Sequence, residues 1–309
     1  MCLSISSQLL AVPSEDRTPS IPTSLPTWIR HQTSSDVPPD ALLVRWLGTA
    51  TFEIRSAQTV LLIDPYFTRD SLWHLLTHPA KPDLARIEPH LDSIQAVLVG
   101  HSHIDHLLDA PTVARRTDAM LFGSEDTLRV ARAEGVSESR LQALRHGDAI
   151  AIGDLTVEVV GGAHSAMATQ WLVSGPMPQE VRMPLGMLDY KCGPVLNFLI
   201  HWRGRTLLHC GSAELIESNF TQRHVDVALF CINGWKSDPT VFSRLHRALS
   251  PDVIVPMHHD DFFQPLSKGL RVGPLVHEAR ALEKIRHDVP GSRILPLDFF
   301  EAFLLEGTT

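Results

Sequence analysis

The chain has 309 residues, 44% hydrophobic and 20% charged, enough to bury a full core as one large domain or two small ones. Its formal net charge of −8 argues against a general nucleic-acid binder, which presents a basic surface, and no apolar run has the length of a transmembrane helix. The four cysteines (Cys2, Cys192, Cys210, Cys231) lack the short paired spacing of a disulfide framework or a zinc ribbon, so free thiols in a reducing, cytoplasmic setting are expected.

Residues 1–40 hold six prolines and many Ser and Thr, the composition of an extended or disordered arm; a single folded domain is expected over residues 41–309. Leu3–Val12 is interrupted by Ser and Gln and no basic residue precedes it, so it is only a weak signal-peptide candidate. A lipid-anchored Cys2 is the alternative to a free cytoplasmic chain. Trp28 and Ile29 are the arm residues suited to pack on the body. Three short strands come next, Leu42–Leu47, Thr51–Arg55 and Thr59–Ile63, with turns at Gly48 and Ser56-Ala57-Gln58, and they read as a meander. Asp64, before Pro65, either caps a turn or supports the neighbouring loop. Phe67–Leu84 reads as a loop or short helix; its His74 and His78 lie four apart but have no third partner, and are read as surface or rim residues.

The apolar run Ala96–Val99 has strand length and β-branched content, and Gly100 breaks it. Directly after it, His101-Ser102-His103-Ile104-Asp105-His106 places three histidines and a carboxylate within six residues. His101, His103 and Asp105 share one parity, so an extended segment projects them to one side. His106 opens a helix through Leu107-Leu108 and then Pro111–Arg116, and a helix N-terminus disfavours a cationic imidazole. Neutral imidazole and ionised carboxylate are ligands of divalent zinc, iron or manganese; the alternative is a polar loop with Asp105 as a helix cap.

Strand Ala119–Phe122 and an amphipathic helix from Ser124 to Glu134, stopped by Gly135, are expected next. Strands Ala149–Ile152 and Leu155–Val160 follow, and the second delivers Gly161-Gly162-Ala163-His164, where glycine lets the backbone approach a bound group. Residues 166–194 are punctuated by Pro and Gly and carry several Met; they form either a lid or packing over a sheet edge. A hairpin (Val195–Trp202 with Arg205–Cys210), a buried strand Val225–Phe230, a helix Pro239–Leu249 and a strand Val253–Pro256 lead to Met257-His258-His259-Asp260-Asp261. A helix Pro274–His287 and strands near Ile294–Leu295 and Phe299–Leu305 close the chain.

His-x-His-x-Asp-His after an apolar strand resembles the signature of the metallo-β-lactamase-fold hydrolases. Trp46-Leu47-Gly48-Thr49-Ala50-Thr51-Phe52, followed by Leu61-Leu62-Ile63-Asp64-Pro65, is similar to the opening of the branch containing N-acyl-phosphatidylethanolamine phospholipase D and ascorbate-6-phosphate lactonase. Thr49 stands where that branch often has His. The resemblance implies an α+β fold, an αββα sandwich of the metallo-β-lactamase type, over about Leu42 to Leu305. It also implies that His164 and, in the "PMH" segment, His258 complete a ligand set of His101, His103, Asp105 and His106. His101, His103 and His164 would then form one site and Asp105, His106 and His258 a second, for one or two Zn2+ ions, with Mn2+ or Fe2+ as alternatives. One departure is clear: Leu207–Ala213 matches a family segment ending in Gly-Asp, whose aspartate bridges two metals, and here Ser212 takes its place.

The function so implied is a metal-dependent hydrolase using a metal-activated hydroxide on a phosphodiester, ester, lactone or amide, with a small-molecule or lipid-like substrate. The alternative is a non-hydrolytic metal-binding or sensor relative. Proton delivery to the leaving group would fall to Asp105 or His259. Lys191, Arg182 and Lys236 are the cations available to a substrate phosphate. Asp260 and Asp261 either orient a ligand imidazole or cap the following turn.

Overall fold

The computed structural model describes residues 25–32, 36–166 and 170–308. Among the described residues, fifteen strands are arranged in two mixed sheets. They are β1 Ile29–Gln32, β2 Ala41–Trp46, β3 Phe52–Arg55, β4 Val60–Ile63, β5 Ala96–Leu98, β6 Met120–Gly123, β7 Leu141–Ala143 and β8 Ala149–Ile152. The rest are β9 Leu155–Gly162, β10 Val195–Trp202, β11 Arg205–Cys210, β12 Val227–Cys231, β13 Val253–Met257, β14 Arg293–Ile294 and β15 Ala302–Glu306. The first sheet runs β1-β15-β2-β3-β4-β5-β6-β7 and the second β14-β13-β12-β11-β10-β9-β8. Eight α-helices among the described residues join them: α1 Leu72–Thr77, α2 Leu84–Ile87, α3 Ile104–Leu107, α4 Ala110–Thr117, α5 Glu125–Ala133, α6 Gln170–Val173, α7 Val241–Leu249 and α8 Glu278–Asp288.

The two sheets repeat one plan. Each has antiparallel pairs at one end and three successive parallel pairs at the other: β4/β5, β5/β6 and β6/β7 in the first, β11/β12, β12/β13 and β13/β14 in the second. Parallel neighbours need crossovers, and helices that cover a sheet face supply them. Leu42, Val44, Trp46, Phe52, Ile54, Leu61 and Ile63 of the first sheet share one buried cluster with Val157, Phe198, Ile200, Leu207, Leu229 and Val255 of the second. A second cluster lies between the first sheet and its helices: Leu62, Val97, Val99, Leu107, Val113, Leu121 and Leu128. Strand residues of alternating parity thus fill two layers, and this is the αββα sandwich expected from the sequence.

Most expected elements lie within a residue or two of their observed bounds. α5 starts where Ser124 Oγ accepts the Thr127 N–H at 3.3 Å and stops at Gly135, φ +82°. Four features differ: β7 has no counterpart in the sequence reading, and α8, expected from Pro274, begins at Glu278; the other two concern β15 and the N-terminal arm. β15 was expected from Phe299, but Phe300 takes φ +68° in a turn and the strand begins at Ala302. β15 then inserts between β1 and β2, its Leu305 opposite both Ile29 and Leu42. Within the stretch placed as an arm, Ile29 is buried in the core cluster and β1 is an edge strand, so this part of it packs on the body. Trp28 adds a cation–π contact with Arg205, whose guanidinium carbon lies 4.2 Å from its ring. Cys2 and Leu3–Val12, with their targeting alternatives, lie outside the described residues.

Candidate metal centre

The expected ligands converge at the ends of β5, β9 and β13. β5 ends at Leu98, and the chain passes through Val99 and Gly100 into His101 and His103, with α3 beginning at Ile104. The ligand atoms of His101, His103 and His164 all lie within 4.8 Å of one another. His101 Nε2 and His103 Nδ1 face each other at 3.1 Å, near the separation of about 3.3 Å for two nitrogens bound tetrahedrally at about 2.0–2.1 Å. His164 enters from the end of β9, its ring centroid 5.0 Å from His101 and 4.7 Å from His103.

Asp105, His106 and His258 form a second group, again within 4.8 Å. Asp105 Oδ2 is 3.0 Å from His258 Nε2 and 3.6 Å from His106 Nε2. The groups abut, with the His101 and His106 ring centroids 3.9 Å apart. His258 follows β13 at φ +60° and its N–H donates to the Thr49 carbonyl at 2.9 Å, so a left-handed residue turns the ligand off the strand end.

The charge states differ between the groups. Burial and then the neighbouring histidines, His106 foremost, push His101 well below its ordinary pKa. Burial and His164 bring His103 to about 4, and burial lowers His164 as well. Three neutral imidazoles crowd one point, the protonation state that a metal ligand requires. For His106, burial acts downward, but the Asp105 and Asp64 carboxylates outweigh it and raise the pKa. A neutral His106 was expected from the helix N-terminus; two carboxylates override a helix of only four residues. Burial would raise the Asp105 pKa, but His106 and His258 hold it well below the usual carboxylate range. Three imidazoles in the first group, and two imidazoles beside an anionic oxygen in the second, make a donor set that fits one or two divalent ions.

Asp64 is the residue whose part the sequence left open. It is fully buried at φ +47°, its Oδ2 accepts from His106 Nδ1 at 2.8 Å, and its Oδ1 accepts from Gly100 N at 2.6 Å. It therefore fixes the tautomer of His106, with the proton on Nδ1 and Nε2 turned to Asp105. Gly211 leaves room for this pair: a Cβ there would lie 3.0 Å from Asp64 Oδ2 and 3.4 Å from His106 Cε1. Asp109, also buried, accepts from Phe67 N, Thr68 N and Thr68 Oγ1, anchoring the chain after β4 to the ligand loop. Burial raises its carboxyl to about 6.

Ser212, in the place of the bridging aspartate, is buried, and its Oγ accepts the Ser165 N–H at 3.0 Å. A Cβ at Gly211 would meet His106, and Ser212 holds the residue after His164, so this turn lies between the two groups. His259 belongs to neither. Its ring stacks on Trp46 with centroids 4.8 Å apart, and its Nε2 is 3.7 Å from Glu278. The left-handed backbone of His258 precedes it, and the structure places its ring against Trp46, outside both groups. Asp260 neither orients an imidazole nor caps its own turn: it accepts from Arg69 Nη2 at 2.5 Å and from Thr49 N at 2.9 Å, tying the His258 loop to the β2–β3 turn. Asp261 does cap a turn, accepting from Phe263 N at 3.2 Å. His74 and His78 stack on each other, with His74 paired to Asp70, apart from the centre.

Of the cations suited to a phosphate, Arg182 is exposed beside Glu180 and Lys236 is exposed. Lys191 turns its ammonium to the carbonyls of Leu172 and Leu188. Met177, Leu185 and Tyr190 of the 166–194 segment are buried, whereas Trp171 and Leu188 are exposed. Among the described residues Cys192, Cys210 and Cys231 are free thiols, and no helix is long and apolar enough to cross a membrane.

Residues 43–258 match a family model described as the beta-lactamase superfamily domain. A UPF0173 metal-dependent hydrolase of Anaeromyxobacter sp. (strain K) is 30% identical over 234 residues, covering 71% of this chain and 75% of that one. Another, from Polynucleobacter asymbioticus, is 28% identical over 235 residues, 72% of this chain and 75% of that one. Among solved structures, Igni18, a metallo hydrolase from Ignicoccus hospitalis, superposes with a TM-score of 0.56 at 18% identity, over 87% of this chain and 100% of that one. The metallo-beta-lactamase fold protein YhfI from Bacillus subtilis gives 0.56 at 12% identity, over 86% and 99%. These structural likenesses concern the fold.

Proposed function

The chain belongs to the beta-lactamase superfamily and, within it, to the UPF0173 metal-dependent hydrolases, and on that premise we propose that His101, His103, His164, Asp105, His106 and His258 hold one or two divalent ions, zinc first, that serve hydrolysis of a phosphodiester or of an ester, lactone or amide. The observation that carries this reading is the convergence of six ligand-type side chains in two abutting groups. A bound divalent ion would supply Lewis acidity and a water acidified toward neutral pH.

The chain's own residues prepare that chemistry. Burial keeps the first three imidazoles neutral, so their lone pairs are available without loss of protons. Asp64 holds His106 with Nε2 toward Asp105. Asp105, held anionic by His106 and His258, is a ligand and proton acceptor rather than the proton donor. The similarity of Trp46–Phe52 and Leu61–Pro65 to the phospholipase and lactonase branch supports a phosphorylated or lipid-like substrate. Exposed Trp171 and Leu188 offer apolar surface to its uncharged part.

The test is metal analysis of the purified protein together with a screen of generic phosphodiester, lactone, ester and amide substrates. One or two ions per chain and turnover abolished by chelator are expected. Bound metal without turnover of any class would favour the sensor reading, and a chain that retains no metal would remove both.

A further inference from the structure

His103 uses one ring nitrogen toward the ligand group and the other toward a distant segment. Its Nδ1 faces His101, and its Nε2 lies 3.3 Å from the Val173 carbonyl, at the end of α6. A carbonyl only accepts, so Nε2 carries the proton and Nδ1 the lone pair. The Val173 carbonyl also accepts from Cys192 N at 2.8 Å, and the Cys192 carbonyl accepts from Ser102 N at 2.9 Å. Ser102 is the residue between His101 and His103. Lys191 completes the arrangement, its Nζ donating to the carbonyls of Leu172 at 2.6 Å and Leu188 at 2.9 Å. A four-residue helix has few carbonyls satisfied within itself; here a lysine, a backbone amide and an imidazole meet the last two. Two residues before the latch stands Trp171, 76% exposed.

We propose that Trp171–Cys192 is a strap latched to the first ligand group, that ion occupancy at His103 and docking of the strap at Val173 strengthen each other, and that Lys191 is the positioning residue that holds the latch. An ion on Nδ1 draws electron density from the ring, makes Nε2–H a stronger donor and so tightens its bond to the Val173 carbonyl. Reciprocity follows from linkage: the factor by which the ion favours the docked strap equals the factor by which the docked strap tightens the ion. Groups that orient ligand histidines typically contribute about 10–100-fold in metal affinity. Lys191 works at one remove, since its ammonium fixes the turn that presents the Val173 carbonyl. The strap in turn sets where the Trp171 indole stands relative to the centre. This inference rests on the metal reading of His101, His103 and His164.

The experiment is hydrogen exchange read by mass spectrometry on the full chain, chelator-treated and zinc-loaded, with zinc content and competitive chelator titration on the same samples. Zinc is expected to slow exchange across Trp171–Cys192 by about 10-fold or more. Lys191→Met is expected to remove most of that slowing and to weaken zinc binding by about 10-fold, while Lys191→Arg, which keeps a donor and its charge, retains both. Zinc bound at one or more ions per chain with strap exchange unchanged would overturn the latch and leave the metal reading intact. Lys191→Met with wild-type affinity and wild-type protection would overturn the role of Lys191. A protein that binds no zinc overturns both readings. The comparison of wild type with and without zinc needs no variant, so it stands even if Lys191→Met does not fold.

Discussion

Replacing Asp64 by Asn changes one atom and tests the support behind His106. Asn tolerates φ +47° nearly as well as Asp, and its amide oxygen can still accept from Gly100 N. Its amide nitrogen then faces His106 Nδ1 and donates where the carboxylate accepted, moving the imidazole proton to Nε2, the nitrogen 3.6 Å from Asp105 Oδ2. The ligand is left in the wrong tautomer. Both groups are essentially fully buried, so water does not restore the charged bond that the carboxylate made. A hydrogen bond to a charged partner is worth about 1.5–3 kcal/mol, and loss of a carboxylate behind a ligand histidine typically costs about 10–100-fold in metal affinity, or about 1.4–2.7 kcal/mol. The two estimates agree. Competitive chelator titration of the Asp105/His106/His258 group should therefore show that loss, while the His101/His103/His164 group is unchanged and the chelator-treated variant still unfolds cooperatively. Wild-type affinity at both groups in a folded variant would refute the tautomer argument.

Three more outcomes are expected. In dialysis across pH, the first group keeps its ion to lower pH than the second, because its imidazoles are depressed, His103 to about 4, whereas the raised His106 of the second takes up at higher pH the proton that the ion must displace. Loss of both ions at one pH would contradict this. Arg69→Met leaves Asp260 as an uncompensated buried carboxylate at the His258 loop, and denaturant unfolding should show a loss of about 3–5 kcal/mol; a loss under about 1 kcal/mol would mean that the loop is held by other contacts. Ser212→Asp places a carboxylate between the groups, at the cost of the acceptor for Ser165 N, and should hold the second ion more tightly in chelator titration; unchanged retention would mean that side chain 212 faces Ser165 alone.

The ligand loop was legible because its residues are neighbours: parity and one turn of helix fix where His101, His103, Asp105 and His106 can point, whatever the rest of the chain does. Most strands were legible for the same local reason, β1 and β7 excepted, as were α5 with its Ser124 cap and Gly135 stop. His164 and His258 needed the family pattern, since each comes from a strand end far along the chain. The rest depends on which distant residues meet, and that is settled by packing and register. The Asp64–His106 bond spans 42 residues and the His103–Val173 contact 70. Neither leaves a local trace, because aspartate before proline and a valine carbonyl serve equally well in ordinary turns. His259 shows the converse: beside a ligand in sequence, it is turned by the left-handed backbone of His258 onto Trp46. β1 at the edge and β15 beside β2 likewise follow from sheet closure, in which an apolar strand binds whichever edge is open. The sequence offered the candidate metal ligands; the tertiary structure decided what holds each of them, because hydrogen bonds between distant segments exist only once the two sheets have packed.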